Sequence, residues 1–167
     1  ISGSMGSPFN RYYYDGVNGK QNTRSNLKAS RKSKMEVASN SVVSLLKHLK
    51  PSDRFGLVLF NSNANLAKPL SLVGQTDMSA ISDHILEIQH KGGTNMSSGM
   101  IEGTKQFDDL EQLNSAGYEN RIIFLTDAMP NLGRTNEGDL INIAEKNATW
   151  GIYSTFIGIG VDFNTQL

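Results

Sequence analysis

The sequence predicts an α/β fold built on a mostly parallel sheet. Three observations carry that expectation. FGLVLF (55–60) and IIFLT (122–126) are short, continuous apolar runs, the pattern of strands enclosed on both faces. Apolar residues at helical spacing fill the stretches between such runs. Strands alternating with amphipathic helices pair in parallel through helical crossovers.

Residues 8–32 are polar, aromatic and turn-rich; Asp15-Gly16 and Asn18-Gly19 mark YYYDGVNGK as a hairpin or protruding loop. Met35, Ala38, Val42, Leu45 and Leu49 then form one helical stripe that Pro51 stops. FGLVLF is the first strand. Ala67 to Val73 is a second, and Pro69 places it at an edge. Thr76 caps a helix with the stripe Met78, Ile81, Ile85 and Ile88. KGGTN breaks the chain before a helix with Met96, Met100, Thr104 and Phe107 on one side. The strand Arg121–Thr126 delivers Asp127 at its carboxyl end. Thr135 or Asn136 caps the helix around Leu140, Ile141 and Ala144, Gly151 ends it, and IYSTFIGIG (152–160) is a further strand.

Composition removes several function classes. The 167 residues suit one domain, and 38% hydrophobic content supports a sizeable core. With no cysteine, thiol catalysis, disulfides and cysteine metal sites are excluded. No apolar run approaches the ~20 residues of a membrane helix. Basic and acidic residues balance at 16 each, which speaks against nucleic acid as a partner. The balance is uneven along the chain: residues 8–34 hold seven basic residues against Asp15 alone. His48, His84 and His90 do not share a helical face at ligand spacing and read as surface or helix-end residues. Ser25-Asn-Leu-Lys28 lacks the partners of an acyl-transfer site. Asn95-Met-Ser97 and Asn147-Ala-Thr149 match the glycosylation sequon.

Ligands of open parallel sheets bind beyond the carboxyl ends of the strands. Asp127 and the loop Gly92-Gly93-Thr94 collect there, and SGSM (2–5) fits there if a strand precedes it. ISGSM, GGTNMSSGM and IIFLTDAMPNLG, in that order, resemble the three site segments of a von Willebrand factor type A domain. The resemblance covers nearly the whole chain. It implies a Rossmann-like, doubly wound sheet with helices on both faces, as one domain over 1–167. It also implies a central first strand, and an aspartate immediately before Ile1, that are not in the sequence, and a final helix capped by Asn164 or Thr165.

The resemblance assigns the chemistry as well. Ser2, Ser4 and Thr94 would offer hydroxyl ligands to a divalent cation, and Asp127 would hold metal-bound water. Mg²⁺ suits such oxygen donors, with Mn²⁺ or Ca²⁺ as alternatives. Without the preceding aspartate, one carboxylate faces a dication, so weak or absent metal binding is expected in the chain as it stands. The implied function is non-catalytic: capture of a protein ligand whose acidic side chain completes the metal's coordination. The alternatives are a metal-independent interaction scaffold and a metal-dependent hydrolase; against the latter, no general base stands near the cluster. Residues 8–32 form an insertion beside the metal, where Arg11, Tyr12, Tyr13 and Tyr14 are candidate partner contacts. SKMEVA and LKPSDRFGLVLFN resemble the domains of bacterial exported proteins and inter-alpha-inhibitor heavy chains. An extracytoplasmic setting within a larger multidomain protein follows from that resemblance.

Overall fold

A computed structural model describes residues 1–9, 32–107, 117–127, 133 and 137–160. Arg11 to Tyr14, the rest of the insertion beyond its ends, Thr135, Asn136, Asp162 and the expected final cap at Asn164 or Thr165 lie outside the described residues.

A 3₁₀ turn over Gly3–Gly6 leads the described elements. Helix α1 (Lys34–Leu46) follows, then strands β1 (Arg54–Phe60) and β2 (Ala64–Leu72). Helices α2 (Met78–Glu87) and α3 (Met96–Lys105) precede β3 (Asn120–Thr126), α4 (Glu137–Thr149) and β4 (Ile152–Gly158). This is the element order that the apolar periodicity predicts.

Local chemistry sets the helix ends. Ser33 and Glu36 make a reciprocal capping box: Ser33 Oγ accepts from the Glu36 amide at 3.1 Å, and Glu36 Oε2 accepts from the Ser33 amide at 2.6 Å. Helix α1 stops at Leu46, short of Leu49, because its last turn tightens. His48 and Leu49 donate to the carbonyls of Leu45 and Leu46 at 3.0 and 3.2 Å. Asp77, not Thr76, caps α2, with its Oδ1 accepting from Ser79 and Ala80 at 3.1 and 3.0 Å. Thr76 is already committed, its hydroxyl donating to Leu72 O at 2.9 Å. An anionic cap also suits the positive end of the helix dipole.

Strands β1 and β2 pair antiparallel, and β3 and β4 pair parallel in unbroken register from Asn120↔Ile152 to Thr126↔Gly158. Helix α4 is the crossover of the parallel unit. The antiparallel register shifts around Gly56, opposite Pro69 and Leu70. A Cβ on Gly56 would lie 3.1 Å from the Leu70 amide nitrogen, so the glycine admits the bulge. Among the described residues β2 bonds β1 alone, the edge position that Pro69 suggests. The expectation that β1 is enclosed on both faces is corrected: it is half-buried along most of its length. Residues of both β1 and β3 line a cavity of about 580 Å³.

Packing ties the helices to the strands. Met96, Met100, Phe124 and Leu140 form the main buried cluster, joined by Phe60 and Phe156. Phe124 stacks on Phe156 at 5.1 Å and meets Phe60 edge-on at 6.3 Å. A second cluster of Met5, Ala38 and Ile159 fastens the 3₁₀ turn to α1 and to the end of β4.

Candidate metal site

The site is assembled at the carboxyl ends of β1 and β3. The Ile1 amine donates to Phe60 O at 2.9 Å, so the first residues start at the end of β1. Lys91 N donates to Ile1 O at 2.7 Å and Gly3 N to Gly92 O at 2.9 Å, which lays the loop Lys91–Thr94 alongside Ser2 to Ser4. That loop is itself strapped to the β1–β2 turn: Gly93 N donates to Ser62 Oγ at 3.1 Å, and Asn95 N to Asn61 O at 2.6 Å. Gly92 takes φ +80°, a conformation that glycine adopts at no steric cost.

Asp127 is the hub. Its Oδ1 accepts from Ser4 Oγ at 2.9 Å and from Ser2 Oγ at 3.2 Å. The two hydroxyl oxygens are 2.5 Å apart. Two hydroxyl protons therefore serve three oxygen–oxygen contacts, and the lone pairs of the remaining oxygens face one another. The geometry thus brings Ser2, Ser4 and Asp127 together across more than 120 residues of chain. Thr94 is buried in the strapped loop beside them. Asn95, read from the sequence as a loop-former, caps α3 by accepting from the Ser98 amide at 3.1 Å.

Sequence reasoning missed Lys34. Its Nζ donates to Asp127 Oδ2 at 3.2 Å, and neither side chain of this pair is more than 1% exposed. A signal existed: Lys34 precedes Ala38 by one helical turn and so extends the buried stripe of α1. The charge asymmetry of 8–34 hid it among the other lysines and arginines of that stretch. The field of Asp127 also reaches the Ile1 amine. Burial lowers the pKa of that amine, and the Asp127 charge partly offsets the effect.

The donor chemistry fits a hard divalent cation: neutral hydroxyl oxygens and one carboxylate converge in a buried setting. Among the described residues, no three His, Asp or Glu side chains cluster to hold a metal by carboxylates or imidazoles. The three histidines are exposed. The sequon asparagines have other work: Asn95 is the α3 cap, and Asn147 is buried, donating to Thr104 Oγ1 at 2.8 Å.

An α/β layering whose strand ends gather Ser-x-Ser, a Gly-Gly-Thr loop and a strand-terminal aspartate defines a class, and the chain belongs to it. It is a member of the von Willebrand factor type A domain family, whose model matches residues 2–130. Members of this family commonly mediate protein–protein interactions. Among its relatives, the bovine (Bos taurus) inter-alpha-trypsin inhibitor heavy chain H4 is 31% identical over 135 residues, covering 77% of this chain and 14% of that protein. The chain thus spans about a seventh of the length of such relatives, which are larger proteins. Among solved structures, the von Willebrand factor type A protein of Catenulispora acidiphila superposes with a TM-score of 0.65 at 18% identity, over 79% of this chain and 30% of that one. A manganese-loaded TRAP protein of Plasmodium vivax superposes with a TM-score of 0.55 at 18% identity, over 77% of this chain and 51% of that one. The Rossmann-like α/β fold follows from these likenesses. No helix among the described residues is long and apolar enough to cross a membrane.

Proposed function

We propose that this domain is a non-catalytic binding module that captures a protein ligand at a divalent-cation site formed by Ser2, Ser4, Thr94 and Asp127. The observation that carries the reading is the convergence of both serine hydroxyls on Asp127 Oδ1, at 2.9 and 3.2 Å. Hydroxyl donors leave a bound cation poorly neutralised, and such a cation supplies an open position that a partner's carboxylate completes. Ser2 and Ser4 orient their lone pairs, Asp127 fixes both hydroxyls, and the strapped loop holds Thr94. Mg²⁺ suits these donors best, with Mn²⁺ and Ca²⁺ as the other oxygen-seeking candidates. The Pro8↔Ser33 bridge brings the two described ends of the 8–32 segment together beside α1. In this reading Arg11, Tyr12, Tyr13 and Tyr14 recognise the partner. The domain operates outside the cytoplasm as part of a larger protein.

Isothermal titration of the chain with MgCl₂ tests the site, beside the same chain extended by an aspartate before Ile1. Saturable binding that strengthens with the aspartate, and is lost in Ser4→Ala, is the expected result. Equal heats for Ser4→Ala and the parent chain would refute the assignment.

A further inference from the structure

The two pairs of strands leave a slot between them. Among the described residues β1 pairs with β2 alone and β3 with β4 alone, so each pair presents an open edge. All of β1, and β3 from Asn120 to Leu125, line the cavity of about 580 Å³. The two strands finish at the same place: the Ile1 amine bonds Phe60 O at the end of β1, and Ser2 and Ser4 bond the Asp127 that follows β3. Two helices add small or apolar lining, α1 through Ala38 and Val42, and α3 through Gly99 and Gly103. Ser39 is different. It lines the same cavity, is 4% exposed, and its Oγ meets no hydrogen-bond partner among the described residues. A buried hydroxyl in that state costs free energy that an occupant with polar groups recovers.

The walls decide what fits. The volume lies in the range of small-molecule pockets. A small apolar ligand, however, would leave main-chain N–H and C=O groups along both open edges without partners. An extended peptide satisfies both edges at once, as strand addition does at a single sheet edge. We propose that the cavity is a strand-receptor site, which takes an extended apolar peptide from a separate polypeptide as a further strand parallel to β1 and β3. The insert joins the two two-stranded sheets into one, in the order β2, β1, insert, β3, β4. Apolar, β-branched residues suit it, because a strand enclosed within such lining has no water to face. Its carboxyl end finishes beside Ile1, whose nitrogen already makes one main-chain bond to β1. Insertion requires no metal, so it stands or falls apart from the cation site.

The test is binding of a synthetic peptide to the 167-residue chain in EDTA. The peptide carries a run of about six alternating Val and Ile residues between solubilising lysines. Calorimetry reads the affinity, and amide hydrogen exchange reads the place. Saturable binding that slows exchange in β1 and β3 together is the expected result. The same peptide N-methylated at alternate amides keeps its apolar side chains but loses the donors along one edge. It should bind about tenfold more weakly. Ser39→Leu fills the slot from its wall and should abolish binding while leaving the far-ultraviolet dichroism of the free chain unchanged. Should that variant not fold, the two peptides on the parent chain decide alone. Equal binding of the N-methylated peptide overturns the strand-receptor site in favour of a plain apolar pocket. Slowed exchange in one strand alone overturns it too, since that is edge pairing outside the slot. Undiminished binding by a folded Ser39→Leu chain, or no binding of the unmodified peptide, does the same. None of these results bears on the MgCl₂ titration, which decides the cation site separately.

Discussion

Asp127 and Lys34 depend on each other in a way that single substitutions will expose. Both side chains are buried, so losing one removes a buried counter-charge from the other. Asp127→Asn turns an amide donor or a neutral oxygen toward the ammonium and should cost about 3–5 kcal/mol in urea unfolding. Adding Lys34→Met to Asp127→Asn should recover much of that loss, because a hydrophobic replacement needs no counter-charge. Ser33 offers a milder case. Hydrogen bonds from the Ser33 amide and hydroxyl groups hold the exposed Glu36 carboxyl below its ordinary value of 4.5. A lowered carboxyl pKa adds stability above that value, which is lost as pH falls through the folded-state pKa. Ser33→Ala keeps that amide but removes the hydroxyl that caps the Glu36 amide, and should destabilise the helix by about 1 kcal/mol at neutral pH. The gap from the parent should narrow in unfolding measured below pH 4.5.

Contacts between elements depend on small residues and one polar tether. Helix α3 approaches β1 closely enough that a Cβ on Gly99 would lie 2.9 Å from the Phe60 ring. Gly99→Ala forces that ring, and its edge contact with Phe124, to shift; a loss of about 1–3 kcal/mol in chemical denaturation is expected. Asn147 links α4 to α3 through Thr104 Oγ1, whose own proton goes to Met100 O at 2.9 Å. Asn147→Ala removes a single buried hydrogen bond and should cost about 1 kcal/mol, seen as a lower melting temperature. Element types were legible because the stripes of α1, α2 and α3 and the runs of β1 and β3 have clear periods. The cap of α2 was not. Choosing between Thr76 and Asp77 requires knowing that the Thr76 hydroxyl turns back to Leu72. The half-burial of β1 was equally hidden, since an apolar run reads the same whether neighbours or a cavity flank it.

For the molecule as a whole, the metal should act as a ligand of the folded state only. Saturating MgCl₂ should raise the melting temperature of the chain extended by an aspartate before Ile1, and chelation by EDTA should reverse the rise. A hundredfold excess over the dissociation constant would contribute about 2.7 kcal/mol. An unchanged melting temperature of that extended chain across a Mg²⁺ series would count against the cation site. Of the candidate site, Ser2, Ser4, Thr94 and Asp127 could be nominated because three short segments resemble those of von Willebrand factor type A domains. The pairing of that aspartate with Lys34 could not: the spacing of Lys34 from Ala38 places it on the buried stripe of α1 but names no partner 93 positions away.

The sequence by itself determined the order and kind of the elements, through hydrophobic period and turn residues that act over a few positions. It also placed Asp127 at a strand's carboxyl end, since that end is fixed by the strand's own direction. The tertiary structure alone decided which cation meets that aspartate. Pairing Lys34 with Asp127 brings together residues 93 positions apart, and its energy depends on burial that only the assembled layers create.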